Sequence, residues 1–419
     1  MTTTSARPLG TASLLALGVN GIVGVGIFFT PNKLAGLAPG WSSVEVVGIT
    51  GLALLPVALA VATIGSRFHE DGGPVLYARA AFGELAGFAV GWLAYSAALF
   101  SMGTVMNGFM QAVLPEWFGV MGVRLAAIGL LTALTAIAAT GIKVSAGVWN
   151  TLTVLKLLPL VALAAVATFA MPHHPVTVVP AEHVQWGRAA LTAVFVFQGF
   201  EIVPVVAGQA RDPARTIPVA VLGSLAISTA LYLLLQRGAV AGVGDLEGAG
   251  APLVAMGEAY GSKGFGRMVS IGTSVSAMGI CFGMVATTPR FLSALVPQTR
   301  FGHVGKNGVP LLALGTTWVV VVVVLSLGSL GELLALSSLS VVMQYLLVAL
   351  ALAKFALKGE RGLSRRHAWL AAPTVLVALV LVSGAERKEW AVAGGSIALS
   401  CVLYFVLRDR ISLPQTGAK

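Results

Sequence analysis

Apolar runs of about 20 residues recur along the whole of this 419-residue chain, and hydrophobic residues make up 57% of it. A run of about 20 apolar residues is what an α-helix needs to cross the hydrocarbon core of a bilayer. Charged residues make up only 10% of the chain, whereas soluble domains carry about 25%. The chain therefore lacks the charge to cover a water-facing surface, and we predict an all-α polytopic membrane protein.

We count about twelve candidate transmembrane helices and expect them to form a single membrane domain over residues 1–419. The first run follows Arg7 without the small-residue cleavage pattern of a signal peptide, so it is interpreted as span one. The candidate spans are 11–38, 44–66, 85–113, 124–141, 147–171, 187–207, 216–240, 265–296, 309–328, 332–355, 367–384 and 389–408.

The distribution of Lys and Arg orients these spans. An even number of spans places both termini on one side, and the loops of that side carry 17 Lys and Arg against 8 on the other. Because Lys and Arg collect in cytoplasmic loops, we predict a multi-pass protein of the cytoplasmic (inner) membrane with both termini in the cytoplasm. The formal net charge of +10 then follows from topology, and nucleic acid is not expected as a partner.

The first apolar run contains an interruption, the segment GIVGVGIFF over residues 21–29. Gly21, Gly24 and Gly26 fall within six residues of one another. Each glycine inside a helix costs roughly 1 kcal/mol relative to alanine. The spacing therefore predicts that span one is broken near its middle.

Span six carries a matching interruption over residues 195–201, with Pro204 one turn further on. The two interruptions lie five spans apart, and an odd offset gives the two halves opposite orientations in the membrane. Such a pair of broken spans is typical of inverted-repeat transporters. It predicts repeats over 11–171 and 187–355, followed by two further helices over 367–408. The alternative, that glycine only permits close helix packing, fits one broken span better than a matched pair.

A break inside a membrane helix frees backbone N–H and C=O groups, which are costly in lipid without a partner. The N–H groups and positive dipole end of the half-helix that starts near Gly26 suit a carboxylate. The free carbonyls of the preceding half-helix suit an ammonium group. One gap therefore offers partners to both ends of an amino acid zwitterion. The alternative, a nucleotide-binding glycine loop, needs a strand and a soluble βαβ unit, and neither is predicted here.

Two charged residues lie well inside predicted spans. Lys156 lies roughly 14 Å from the start of span five at 1.5 Å per residue, which is too deep for its stem to reach the interface easily. A charge at that depth indicates function, and we interpret Lys156 as a group that exchanges a proton during a cycle. Glu201 in span six has three possible roles: substrate partner, member of a proton path, or structural ion-pair partner.

Other candidates carry weaker signals. The histidines His173, His174 and His183 are scattered in a predicted outer loop, and no cofactor or metal is expected. Neither H-E-x-x-H nor G-x-S-x-G occurs, so an enzyme is not predicted. Aromatic and polar side chains in spans six and ten are candidates for a gate and a path: Phe195, Phe197, Phe200, Ser337, Ser338, Ser340 and Gln344.

Three segments resemble signatures of the amino acid–polyamine–organocation transporter family. The GIVGVGIF segment is similar to the Gly-x-Gly-Ile-Phe break in span one of that family. The stretch GGPVLYARAAFG over residues 72–83 resembles its loop after span two, and the GFE…DPARTIP run over residues 199–218 resembles its signature after the span-six break. The likeness covers at least the first ten spans.

The resemblance implies a ten-helix inverted repeat with spans one and six broken, plus two C-terminal helices. It implies that the substrate carboxylate binds near Gly24 on the N–H groups of Val25 and Gly26, and that the amino group binds four carbonyls. Lys156 matches a span-five lysine of sodium-independent members, where its ammonium stands in for a sodium ion. The implied carbonyls are those of Ile22, Phe195, Val196 and Gln198, with Phe195 as an aromatic gate and Glu201 as a polar support.

The sequence also departs from the family pattern. Val25 replaces a frequent Ser or Thr, and Asp212 replaces the usual Asn. Gly208 and Gln209 replace an acidic pair after span six, which puts the intracellular gating contacts in doubt.

From the residues and the resemblance we predict a secondary active transporter of amino acids, with an apolar pocket near Met102, Met278 and Phe282. We expect proton-coupled symport of neutral or hydrophobic amino acids by alternating access. The alternative is a sodium-independent exchanger or exporter. The expected partners are an amino acid, protons and the lipid bilayer, and the expected oligomeric state is a monomer.

Overall fold

The computed structural model describes residues 9–24, 26–141, 146–169 and 181–411, without the side chains of residues 116, 146–156, 181 and 409–411. Within these residues the regular structure is helical, and the one β contact is an isolated bridge between Leu9 and Ala210. The prediction of an all-α fold is confirmed.

Nine helices in the described part of the chain are long and apolar enough to cross a membrane. Three shorter apolar helices, Thr11–Ile22, Leu157–Phe169 and Leu311–Leu327, stand at the three remaining predicted positions. The helical bounds of spans one to six are Thr11–Ile22 with Thr30–Leu37, Trp41–Ala53 with Leu55–Gly65, Glu84–Val113, Gly119–Ala139, Ala146–Phe169, and Trp186–Phe197 with the 3₁₀ segment Phe200–Gln209. The bounds of spans seven to twelve are Pro213–Gly242, Lys263–Leu295, Leu311–Leu327, Leu330–Lys358, Ala371–Val382 and Arg387–Ile411.

Two short helices lie between spans where the sequence predicted only loops. Gly73–Phe82 has 10 residues and Pro252–Tyr260 has 9, so neither is long enough to cross a bilayer. Each carries a proline in its first turn, where the missing N–H would have no partner anyway. Both helices begin in stretches rich in Gly and Pro, which indicate a loop between spans. For this reason they were not predicted as helices. We call the side of the bundle that holds Pro252–Tyr260 the outer side.

Span ten lies at the centre of the bundle. Inside its apolar window 78% of residues are buried, against 17% in span four and 11% in span twelve. Span ten packs against spans three and eleven, and the first half of span one packs against span seven. Spans four and twelve therefore form the periphery, whereas the residues at the two breaks, among them Ile22, Gly26 and Phe197, are buried.

Both predicted breaks are present. Span one leaves the helix after Ile22 and resumes with a 3₁₀ turn at Gly26–Phe28. Span six leaves it after Phe197, and Pro204 lies in the 3₁₀ segment that follows. Because proline lacks an N–H and clashes with the preceding turn, it disfavours a regular α-helix there. The division into two inverted repeats stays a prediction.

The two breaks touch each other through two glycines. Gly199 has φ +128°, and a Cβ on it would overlap the carbonyl carbon of Gly21. A Cβ on Gly21 would lie 3.0 Å from the carbonyl oxygen of Gly199. Only residues without side chains allow this approach, so the glycines bring the breaks together.

A buried ion pair joins the outer end of span six to the last two spans. The Arg188 guanidinium donates to both carboxylate oxygens of Glu389 at 2.6 and 2.7 Å, and Glu389 is only 1% exposed. Glu386 lies 3.7 Å from the same guanidinium. This outer clamp fixes the start of span six against the first turn of span twelve and the loop before it.

We expect Gly199→Ala to destabilise the protein, because alanine meets both an unfavourable φ and the Gly21 backbone, at a cost of about 2 kcal/mol or more. Thermal unfolding in detergent measures the effect as a lower melting temperature. The matched control is Gly129→Ala, since a Cβ on Gly129 meets nothing within 4 Å and alanine is the better helix former. A Gly199→Ala variant as stable as Gly129→Ala would show that the breaks do not depend on this contact.

We expect Arg188→Met to lower the stability by about 3–5 kcal/mol, because it leaves the Glu389 carboxylate buried and unpaired. The double variant Arg188→Met with Glu389→Met removes the orphaned charge and should recover most of the loss. Glu360→Gln is the control, since its pair with Lys358 is exposed and 3.8 Å long and such pairs contribute about 0–1 kcal/mol. Equal melting temperatures for Arg188→Met and Glu360→Gln would contradict the account of the clamp.

Candidate functional site

An aromatic ring covers the start of the second half of span one. A Cβ on Gly26 would lie 2.9 Å from Cδ1 and Cε1 of Phe195, so the ring rests directly on the glycine. Phe195 is buried, and its ring centroid lies 6.2 Å from that of Phe29. Phe195, which the resemblance implies is an aromatic gate, therefore lies on the break in span one, and its role as a gate stays a prediction.

The carbonyl of Ile22, at the end of the first half of span one, already has two donors. It accepts a hydrogen bond from the Tyr232 hydroxyl at 2.9 Å and one from the Gly24 N–H at 2.7 Å. Tyr232 is fully buried on span seven, where its hydroxyl needs a partner. A ligand could gain the Ile22 carbonyl in this conformation only by displacing a donor.

The carbonyls at the end of the first half of span six are differently placed. The Val194 carbonyl accepts the N–H of Gln198 at 3.1 Å. The next N–H, that of Gly199, turns away and donates to Glu201 at 2.9 Å. The last carbonyls of a helix have no partner within it, and among the hydrogen bonds described outside the helices none reaches the carbonyl of Phe195 or Val196.

Glu201 closes the second break. One oxygen of its carboxylate, Oε2, accepts the Gly199 N–H at 2.9 Å and the Tyr345 hydroxyl at 3.1 Å. The Tyr345 ring stacks on Phe200 with centroids 5.4 Å apart. Among the described side chains, no Lys or Arg forms an ion pair with Glu201. These contacts join the break in span six to span ten and fit a supporting role for Glu201.

A chain of polar side chains holds Gln198 beside the break. Ser337 donates to its Oε1 at 3.2 Å, and Gln198 Nε2 lies 3.5 Å from the Ser338 hydroxyl. Ser101 on span three continues the chain, with its hydroxyl 2.7 Å from that of Ser337. Ser337 and Ser338, which were only weak candidates from sequence, therefore orient a predicted site residue.

The other polar candidates of span ten bond within their own helix. Ser340 donates to the Leu336 carbonyl at 2.8 Å, and Gln344 donates to the Ser340 carbonyl at 3.3 Å. The Ser340 hydroxyl and the Gln344 Nε2 therefore donate to backbone carbonyls of span ten itself.

Two predicted site groups lie outside the described part of the chain. Val25 falls in the gap between the described residues 24 and 26. Lys156 is on the helix Ala146–Phe169, but its side chain is not among those described. Their predicted roles, in carboxylate binding and in proton exchange, stay predictions.

The predicted apolar pocket is only partly present. Met102 is fully buried, whereas Met278 is 41% exposed. Met278 shares a helical face with the exposed residues Ile271 and Val275, and the opposite face of span eight turns inward. The interpretation of Met278 as a pocket residue is therefore wrong, because helix periodicity turns it outward. Phe282 is half-buried.

On the side of the bundle that holds Leu9, hydrogen bonds join the loop after span two to the end of span six, where the sequence left the gating contacts in doubt. The Asp71 carboxylate accepts the N–H of Gly208 at 3.0 Å and the side-chain amide of Gln209 at 3.1 Å. The Leu9 N–H donates to the Gln209 carbonyl at 2.7 Å. The acid is thus supplied by the loop after span two and the amides by the end of span six. Sequence reasoning considered only the acids missing after span six, and so missed Asp71.

Known proteins are similar in sequence to most of this chain. A serine/threonine exchanger, SteT, of Bacillus subtilis is 24% identical over 378 residues, covering 87% of this chain and 86% of that protein. A branched-chain amino acid permease, BcaP, of the same organism is 26% identical over 380 residues, covering 82% and 80%.

The family signature extends further than either pairwise match. It begins at residue 9, where the described chain begins, and it ends in span twelve. It includes both breaks and the polar side chains around them. Residues 9–407 match the amino acid permease family, and the chain belongs to that family of membrane transporters.

Proposed function

We propose that this permease is a secondary active transporter that moves neutral amino acids across the cytoplasmic membrane by alternating access about spans one and six. The observation that carries the proposal is the direct contact of the two breaks at Gly21 and Gly199. It brings the N-terminal end of one half-helix close to the C-terminal end of another. These ends present N–H groups and carbonyls respectively, which are the partners that a zwitterion needs.

In the proposed complex the carboxylate binds the N–H groups of Val25 and Gly26, beside Gly24. The amino group binds carbonyls of span six, those of Phe195, Val196 and Gln198. The Ile22 carbonyl already accepts two hydrogen bonds, so the amino group binds the span-six carbonyls in preference to it. The Ile22 carbonyl takes part only if Tyr232 or Gly24 moves.

Phe195 acts as the gate. Its ring lies on Gly26, where the carboxylate would bind, so the site is covered in this conformation. Entry of substrate requires the ring to move away from Gly26. The Phe195 ring contributes only apolar atoms to this contact. Rotating this one side chain costs less free energy than moving a helix.

A neutral substrate fits the charges at the break. Glu201 lies at the break in span six, where its Oε2 accepts the Gly199 N–H and the Tyr345 hydroxyl, so we assign this carboxylate to holding the break rather than to binding a cationic side chain. The names of the two Bacillus relatives refer to serine, threonine and branched-chain amino acids, all of which are neutral. Met102 is buried in span three next to Ser101, whose hydroxyl bonds to Ser337, and it favours an apolar side chain.

Coupling to protons rests on Lys156 in span five. A charged group inside a span indicates function, and a lysine that gains and loses a proton links substrate movement to a proton gradient. Both termini are proposed to lie in the cytoplasm, on the charge bias of the loops. The exchanger named among the relatives favours one alternative, namely sodium-independent exchange of one amino acid for another.

Uptake into proteoliposomes tests the function and separates the two mechanisms. Radiolabelled L-leucine and L-threonine are offered under an inward proton gradient and, separately, with unlabelled amino acid inside and no gradient. Symport predicts accumulation driven by the gradient, and obligate exchange predicts uptake only with internal amino acid. The proposal would be contradicted if none of the twenty amino acids were taken up under either condition.

We expect Lys156→Ala to abolish gradient-driven uptake while leaving the protein inserted and folded, because the titrating group is removed. Lys263→Ala is the matched control, since Lys263 is exposed at the outer end of span eight. Uptake rates at several pH values and gel filtration of both variants provide the measurement. Retained pH-dependent uptake in Lys156→Ala would exclude Lys156 as the coupling group.

A further inference from the structure

A group of basic side chains lies on the side of the bundle that holds Leu9, where the loop after span two meets the loop after span ten. Residues 354–370 contain five Lys and Arg and a single acid, Glu360. Arg67 adds a further cation just past the end of span two at Gly65. Loops of this side are predicted to be cytoplasmic, since they carry the excess of Lys and Arg.

Two arginines from the two loops come together at Gly362. A Cβ on Gly362 would lie 3.4 Å from Nη1 of Arg67, so this guanidinium lies against the backbone of the second loop. Arg361, the residue before Gly362, places its guanidinium over the ring of Phe68, with 3.9 Å between Cζ and the ring centroid. Because Phe68 directly follows Arg67, each arginine lies beside the neighbour of the other. We call Arg67 and Arg361 the arginine pair.

The Arg361 guanidinium rests on a rigid aromatic support. The Phe68 ring is buried and packs on Tyr77 and Phe355, with centroids 4.7 and 6.1 Å apart. Arg361 is the one residue other than glycine with a positive φ, +52°, in the described part of the chain, and that conformation is unfavourable for it. Stacking engages the face of the guanidinium and leaves the N–H groups in its plane free to donate.

The arginine pair lacks an anionic partner among the described residues. No described ion pair includes Arg67 or Arg361, and the Nε of Arg67 is buried without a hydrogen-bond acceptor. Two acids lie close to the pair along the chain. Glu360 lies 3.8 Å from Lys358, and Glu70 forms no described ion pair. A buried donor without an acceptor is costly, so an anion bound between the two guanidiniums would be favourable.

Exposed apolar side chains place the arginine pair at the level of the lipid headgroups. Leu357, in the last turn of span ten, is 61% exposed, and Trp369, just before span eleven, is 80% exposed. Leucine on an exposed helix face contacts lipid in a membrane protein, and tryptophan is enriched where the bilayer meets water. Arg361 lies between these two residues in the chain. Two further exposed arginines, Arg365 and Arg366, lie in the same loop.

We propose that the arginine pair binds the headgroup phosphate of an anionic phospholipid of the cytoplasmic leaflet. Planar guanidiniums suit phosphate because they donate two parallel hydrogen bonds to its oxygens. Anionic lipids of this leaflet are attracted to basic segments at the membrane surface, and Arg365 and Arg366 add to that attraction. A soluble phosphate would form the same hydrogen bonds, but the position of the pair between Leu357 and Trp369 favours a lipid.

Binding of dioleoylphosphatidylglycerol to the purified full-length protein in a neutral detergent tests the site. Native mass spectrometry counts the bound lipids during a titration, and dioleoylphosphatidylcholine is the comparison lipid without net charge. The wild type should bind the first phosphatidylglycerol more tightly than phosphatidylcholine. The double variant Arg67→Gln with Arg361→Gln should weaken that binding by about tenfold or more, since charge-assisted hydrogen bonds to phosphate are lost. The matched control is Lys263→Gln with Arg267→Gln, two exposed cations at the outer end of span eight, and it should bind as the wild type does.

Arg361→Gln alone is the second variant, because Arg361 is exposed and its replacement leaves the core intact. It should also weaken binding of phosphatidylglycerol. Equal affinity of the wild type for the two lipids would overturn the proposal, and so would unchanged binding in Arg361→Gln. Displacement of phosphatidylglycerol by millimolar inorganic phosphate would assign the arginine pair to a soluble anion and would overturn the lipid site.

Discussion

The structure depends on one constraint, that backbone N–H and C=O groups inside a membrane need partners. An intact helix satisfies this constraint through its own hydrogen bonds. This chain interrupts a helix at two places in its packed interior, so these hydrogen bonds are lost there. The cost is reduced by pairing the breaks with neighbouring groups. Tyr232 donates to the Ile22 carbonyl, and Glu201 accepts the Gly199 N–H. These two contacts satisfy one carbonyl of the break in span one and one N–H of the break in span six.

The supports of the two breaks come from different parts of the bundle. The break in span one is held by span seven through Tyr232. The break in span six is held by span ten through Tyr345 and the serines around Gln198. Span ten is the most buried of the long helices described. In the proposed alternating-access cycle, span ten is the frame against which the first half of span one and its neighbour span seven shift.

Much of this could be predicted from sequence, for physical reasons that are local. Gly21, Gly24, Gly26 and Pro204 weaken a helix wherever they occur, so both breaks were found, and long apolar runs gave the spans. The partners of the breaks were missed because they are distant in the chain. In the sequence, Tyr232 and Tyr345 are each a single aromatic residue in an apolar helix. Only packing brings their hydroxyls to the Ile22 carbonyl and the Glu201 carboxylate.

The same limit explains the errors at the surface of the site. Met278 has the apolar character expected of a pocket residue, but it lies on the outer face of span eight. The face on which a residue lies cannot be assigned without knowing what the helix packs against. Asp71 contacts Gly208 and Gln209 from a loop 137 residues earlier, so the missing acids after span six gave no hint of it. Contacts that tertiary packing creates can be found only from the three-dimensional structure, whereas breaks caused by residue type can be predicted from sequence.

Hydrogen–deuterium exchange with and without amino acid tests the central claim most directly, namely that the broken backbone of spans one and six is the binding site. The account predicts that a bound neutral amino acid slows exchange selectively in peptides that cover residues 19–29 and 195–203, because the ligand engages and buries their open groups. Span twelve should be unaffected. Binding that protects other segments and leaves exchange at both breaks unchanged would contradict the account.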